Sequence, residues 1–225
     1  MGLLVIAALV WLGVHVGIAG TGLRDRLVGG IGETAFRALF SVVSIGAIVF
    51  LVWTWCAAPT TLLWYAPGWL FRVLAAVMLV AFVLFVAAVS RRSPTMVGPP
   101  GAAVQPPRGI QRVTRHPMLW SFALWAGVHI IGNGDTAAIV FFGTFLVTAL
   151  AGMPSIDAKL ARRDPPKWQT LSAATSIVPF AAIVQGRNRF VPGEIGWLTP
   201  AIGAVAWVVG LWLHPWLFGV APVAM

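Results

Sequence analysis

Four histidines carry most of the chemistry this sequence can offer: His15, His116, His129 and His214. Neutral imidazole ligates transition metals, and its charge changes near neutrality. His15 and His129 fall inside long apolar runs, where a titratable group is expensive to keep and so points to function. A short echo joins them, since Trp11-Leu-Gly-Val-His15 and Trp125-Ala-Gly-Val-His129 share W-x-G-V-H. Each histidine has a glycine two residues before it and a tryptophan one helical turn before it. Small neighbours of this kind let a flat ligand or a second backbone come close.

A second cluster is Arg112-Val-Thr-Arg115-His116-Pro117. Two guanidinium groups and an imidazole stand just before a helix that Pro117 is suited to open. Such a place attracts anions, whether a haem propionate, a lipid phosphate or a cofactor carboxylate. The plainer reading is positive anchoring at the membrane face. His214, before Pro215 and Trp216, is a reserve metal ligand at the end of the last apolar run.

Other chemistries lack their residues. Cys56 is the single cysteine, which excludes an internal disulfide, a cysteine-based zinc or iron–sulfur site, and a C-x-x-C-H haem attachment. The acids Asp25, Glu33, Asp135, Asp157, Asp164 and Glu194 all fall in the expected connections, so no carboxylate relay runs through the apolar runs. No Ser-His-Asp set, paired carboxylates or glycine-rich nucleotide loop is visible.

The elements that must position these groups are set by composition. The 225 residues are 59% hydrophobic and only 9% charged, with mean hydropathy +0.90. A soluble domain carries about 25% charged residues, so the class is an all-α polytopic membrane bundle. Six stretches qualify as spans, at 2–20, 36–57, 69–90, 117–132, 136–153 and 195–213. They are read as one domain over 1–225. Met1 to Ile6 lacks a basic region, so 2–20 is expected to stay as a span. Gly132-Asn-Gly-Asp135 predicts a tight turn between the fourth and fifth spans, with Asp135 as the N-cap of the fifth. Residues 93–108, rich in Pro and Gly, predict an irregular loop. Residues 155–172 predict a short interfacial helix broken at Pro165-Pro166. Trp64, Trp69, Trp168, Trp197 and Trp216 suit interfacial anchoring.

The net charge is +9, and among the connections Lys and Arg fall only in the first, third and fifth, while the second and fourth contain none. That alternation is the positive-inside pattern, so both termini are expected on the outer side. No basic face interleaved with exposed aromatics appears, which excludes nucleic acid as a partner. The first and fourth spans then run in opposite directions. Counted at 1.5 Å per residue in a core of ~30 Å, His15 and His129 differ by about 8 Å in depth. Two imidazoles and an iron can bridge that offset, as a bis-imidazole haem site requires. The alternative is a hydrogen bond from each histidine to a carbonyl of a neighbouring helix.

Taken in order, several motifs resemble the NnrU family. These are Leu12-Gly-Val-His15 with Gly22-Leu-Arg24, Gly109-Ile-Gln-Arg-Val-Thr-Arg115-His116-Pro117-Met118, Trp125-Ala-Gly-Val-His129, Gly132-Asn-Gly-Asp135 and His214-Pro-Trp-Leu-Phe-Gly. The resemblance covers nearly the whole chain. It implies an integral protein of a bacterial inner membrane, linked to denitrification and nitric oxide metabolism, or activity like the related 15-cis-zeta-carotene isomerase, a membrane haem b enzyme. It also implies haem b held by His15 and His129, with Arg112, Arg115 and His116 steadying a propionate or another anion. Membrane lipid and an apolar polyene substrate are the partners expected on this reading. One departure stands out: the isomerase has a cysteine three residues before the second ligand, where this chain has Ala126. A more distant similarity links Arg115-His116-Pro117, Asp157, and Leu160 through Val178-Pro179 to the isoprenylcysteine and phospholipid methyltransferases. It implies S-adenosylmethionine as the alternative cofactor, although the usual aromatic after R-H-P and the paired glutamates are missing. A non-catalytic assembly factor is the third reading.

Overall fold

The structure is a computed structural model that describes residues 1–90 and 106–222. Most of the loop expected over 93–108, with Arg91 and Arg92, lies outside the described residues. All regular structure among the described residues is helical, apart from one antiparallel bridge between Leu62 and Asp135. The long helices are α1 (Gly2–Leu12), continued by a π-helical turn (Gly13–Ile18), α2 (Leu23–Ile31), α3 (Glu33–Cys56), α4 (Gly68–Val89), α6 (Pro117–Asn133), α7 (Thr136–Arg163), α8 (Pro165–Ala174) and α11 (Leu198–Phe218). Three single turns, α5 (Ile110–Val113), α9 (Ala181–Val184) and α10 (Pro192–Ile195), lie between them.

Four of these helices are long and apolar enough to cross a membrane: α3, α4, α7 and α11. The α1–π segment and α2 make a fifth crossing if taken as one broken span, bent by 78°. The count of six spans is not confirmed by this measure, and the bounds shift. The first is a bent pair, and α6 is only 17 residues long, about 26 Å at 1.5 Å per residue. The fifth span does not stop at 153. It continues to Arg163 with Pro154 inside it. The helical run breaks at Asp164, as the prolines predict: α7 ends at Arg163, Pro165 and Pro166 open α8, where a missing N–H is harmless, and Asp164 caps it by accepting from the Lys167 N–H at 3.2 Å. His214 and Pro215 lie within α11 instead of beyond it.

The chain forms two compact units, with divisions inside α6 after Trp125 and inside α7 after Ser155. In the first unit α1 packs on α3. The α6–α7 turn there forms as the glycines and Asp135 predict. Asp135 accepts from the Ala138 N–H at 2.8 Å and from the Thr60 hydroxyl at 2.6 Å. Gly134 has φ +66, and a Cβ there would stand 2.2 Å from the Trp64 carbonyl oxygen. Its own carbonyl accepts from the N–H groups of Leu63 and Trp64, so the segment before α4 is clipped to the turn. The Trp64 indole adds a bond to the Ile131 carbonyl at 2.9 Å.

In the second unit α4 packs on α11, with the Trp207 indole donating to the Ala75 carbonyl at 2.9 Å. Close approach is set at Gly203, where a Cβ would lie 2.9 Å from the Val83 Cα. At Gly210 a Cβ would meet only the far edge of the Phe82 ring, at 3.1 Å. Gly203→Ala is therefore expected to destabilise the protein by about 1–3 kcal/mol through overpacking against backbone. Gly210→Ala, which meets a ring able to rotate aside, is expected to cost less. Thermal unfolding of both variants in detergent checks the order.

Candidate functional site

His15 sits in the π-helical turn, where the Ala19 N–H reaches back five residues to the Val14 carbonyl at 3.0 Å. Such wide turns recur at functional sites because they displace one side chain from the ordinary helical lattice. The imidazole folds back on Trp11, with ring centroids 3.8 Å apart and planes 18° apart. Its Nδ1 lies 3.0 Å from the Trp11 carbonyl oxygen, so this nitrogen carries the proton and donates. Nε2 is thereby left with its lone pair. The Ser44 hydroxyl lies 3.5 Å from it, longer than an ordinary hydrogen bond. Phe40 meets the ring edge-on at 5.3 Å.

His129 stands on α6 with its ring stacked on Phe142 of α7 at 4.7 Å. Aromatic contacts join the two histidines along α7. Trp11 lies 5.4 Å from Phe145, Phe145 5.3 Å from Phe141, and Phe141 5.0 Å from Phe142. Trp55 of α3 stacks on Phe141 at 4.3 Å. Trp11 also donates to Thr148, so Trp11, on which His15 is stacked, and His129 meet α7 at levels three to six residues apart. That is about 5–9 Å at 1.5 Å per residue. Among the described residues no three or more of His, Cys, Asp and Glu gather to hold a metal ion. A metal group held here would use two imidazoles and supply its remaining ligands itself, as haem does. The fixed tautomer of His15 and the apolar aromatic wall fit such a group.

Arg112, Arg115 and His116 are placed differently from the open anion mouth expected of them. Arg115 is 8% exposed, His116 4% and Asp157 6%. The Arg115 guanidinium grips Asp157 through Nε at 3.0 and 2.9 Å and through Nη2 at 2.6 Å. Its Nη1 donates to the Thr175 carbonyl at 3.0 Å. His116 Nε2 lies 2.8 Å from the same carboxylate. The backbone around them is also engaged: the Arg115 N–H donates to Ser176, and the Thr114 hydroxyl and the Trp120 indole both donate to the Ile177 carbonyl. Trp168, expected as an interfacial anchor, instead faces the Arg115 guanidinium at 5.2 Å. Arg112 is held by Glu194 at 2.7 and 2.9 Å and by Asn188 at 2.7 Å. The anions these basic groups meet are thus carboxylates of the chain itself. Asp157, expected in a connection, lies inside α7.

A profile described as "NnrU protein" matches residues 3–222. The chain belongs to the NnrU family. Two plant proteins named 15-cis-zeta-carotene isomerase, chloroplastic, are similar to this NnrU protein. The one from Arabidopsis thaliana is 29% identical over 180 residues, which are 78% of this chain and 48% of that protein. The one from Zea mays is 32% identical over 94 residues, 39% of this chain and 26% of that protein. The match thus spans about half the length of the first relative and a quarter of the second. No solved structure matches. Ala126 is fully buried on α6. His214, the reserve ligand, has Nδ1 2.7 Å from the Val220 carbonyl and its ring against Phe218.

Two outcomes test the internal ion pairs. Asp157→Ala leaves a buried guanidinium without its counter-charge and is expected to destabilise the protein by about 3–5 kcal/mol, read by thermal unfolding in detergent. The second concerns pH. The Arg112 guanidinium, and then the Gly109 N–H, hold the Glu194 carboxyl down at about 2. A lowered carboxylate stabilises the folded state fully above its unfolded value near 4.3, and this is lost as pH falls through the folded value. The stability difference between wild type and Glu194→Gln is therefore expected to be constant above about pH 5 and to shrink progressively toward pH 2.

Proposed function

We propose that this NnrU protein is an integral membrane protein of a bacterial inner membrane that binds haem b through His15 and His129 and acts as an isomerase on an apolar polyene. The two termini lie on the outer side, and the arginine-rich connections lie inside. The observation that carries this reading is the state of His15. Metal-ligating histidines almost always donate the other ring N–H to a carbonyl or carboxylate, which fixes the tautomer and orients the ring. The Nδ1 contact to Trp11 is of this kind, and it stands in a wide helical turn that sets the imidazole apart. The similarity to two 15-cis-zeta-carotene isomerases supports the substrate class.

Bound haem would supply a redox-active iron in an apolar setting. The chain's own contribution would be positional. Trp11 fixes the proton of His15, and Phe145, Phe141 and Phe142 form the wall beside which an extended hydrocarbon can lie. A polyene dissolved in the bilayer would reach such a wall sideways, without crossing water.

The test is a visible spectrum of the detergent-purified protein from haem-replete cells, oxidised and reduced. A Soret band is expected, and His15→Ala and His129→Ala should each abolish or shift it. Incubation with 15-cis-zeta-carotene, followed by chromatography, reads the isomerase activity. Protein that purifies without haem, or variants that both keep the wild-type spectrum, would overturn the haem assignment. A haem-loaded protein that leaves the carotene unchanged would overturn the isomerase.

A further inference from the structure

Residues 176–190 combine features that neither the haem wall nor the buried ion pairs use. The base of the segment is bolted to the second unit. The Ser176 carbonyl accepts from the Arg115 N–H, the Ser176 hydroxyl bonds to the Val178 carbonyl and the Ala182 N–H, and the Phe180 N–H donates to the Val113 carbonyl. Its tip does the opposite of what a water-facing turn does. Val178 is 59% exposed, Phe180 49%, Val184 86% and Phe190 47%. The rings of Phe180 and Phe190 meet edge-on at 6.1 Å. Phe180 is also the one non-glycine residue with positive φ among the described residues, at +65. A bulky side chain in that conformation is strained, so the surrounding structure holds this ring outward against its backbone preference.

Directly after this apolar tip comes a basic cup. Arg112, Arg187, Asn188 and Arg189, with Pro106 and Gly186, line a cavity of about 400 Å³. Arg112 is neutralised by Glu194. Arg187 is braced by the carbonyls of Ser172, Ala173 and Thr175 at the end of α8 and by Gln185, none of them a carboxylate. The Arg189 guanidinium has no hydrogen bond or ion pair among the described residues. The cup therefore holds two positive charges that no acid among the described residues compensates.

We propose that residues 176–190 grip an anionic phospholipid: Val178, Phe180, Val184 and Phe190 insert among the acyl chains, and Arg187 and Arg189 take the headgroup phosphate in the cup. The two halves of a lipid demand this pairing of apolar surface and uncompensated guanidinium on adjoining residues. Basic residues beside a membrane favour anionic over zwitterionic headgroups, and exposed aromatic and aliphatic side chains at the interface add buried apolar area. A soluble phosphate compound would use the cup and leave the apolar tip in water.

Native mass spectrometry of the full-length protein in detergent tests the proposal with three probes: dioleoylphosphatidylglycerol, dioleoylphosphatidylcholine and inorganic phosphate. The glycerol lipid is expected to bind best. Arg187→Gln removes a brace of α8 and can unfold the segment, so Arg189→Gln is the decisive charge variant. It should weaken phosphatidylglycerol binding about five-fold while leaving phosphatidylcholine unchanged. Phe180→Gly relieves the backbone strain and removes the ring, and it should weaken both lipids. Equal binding of the two lipids, inorganic phosphate competing as well as the lipid, or either variant binding like wild type would overturn the proposal.

Discussion

A charge buried away from water must meet its opposite, and in this protein that requirement is met at Arg115 and Asp157. The guanidinium saturates the carboxylate with two nitrogens, a third nitrogen takes a backbone carbonyl, and His116 closes the remaining side. Removing either partner strands the other in a medium where its solvation is poor. The start of α6, the far end of α7 and the stretch after α8 are thereby held as one piece. Thr114, Trp120 and Trp168 add neutral bonds and a stacked ring around the same point. The stretch that carries the strained Phe180 starts from this knot, where the Arg115 N–H donates to the Ser176 carbonyl.

The first unit is organised by another kind of force. It has few charges, and its interior contacts are rings. Trp11, Phe145, Phe141 and Phe142 touch in succession, with a histidine at each end of the series, and Trp55 stacks on Phe141. Between helices in lipid, packing and a few polar bonds replace the hydrophobic drive available in water. The Trp11–Thr148 and Ser155–Gly20 bonds are of that sort, and they fix how α1 and its π-helical continuation run along α7. The histidines are thus positioned by aromatic surface and not by charge.

Much of this is legible in the residues. The apolar runs mark α3, α4, α7 and α11, because hydrocarbon demands long stretches without charge. Gly132-Asn-Gly-Asp135 gives both the turn and its cap, since φ > 0 at Gly134 and the Asp135 carboxylate are local requirements. What the sequence withholds is non-local. Nothing near Arg115 announces Asp157, 42 positions on, and nothing near Arg112 announces Glu194, 82 positions on. The charge of Asp157 suggests a connection, whereas a carboxylate with two buried partners is tolerated inside a helix. Pro165-Pro166 does mark the break between α7 and α8, because a proline opens a helix readily but cannot continue one. The π-helical turn leaves no signal at all, since wide turns have no distinctive composition.

That turn bears on how related chains are compared. An ordinary helix advances about 100° per residue, and a wide turn accommodates one residue beyond the regular count. Loss of a single residue between Gly13 and Ile18 would restore regular winding while the helix on either side kept its orientation, so the change would fall on the side chains of the turn itself. Aligned letters would still put a histidine in the column, yet the imidazole would point to another neighbour. Within such chains, spacing around the first histidine is therefore a better guide to shared chemistry than the histidine's presence.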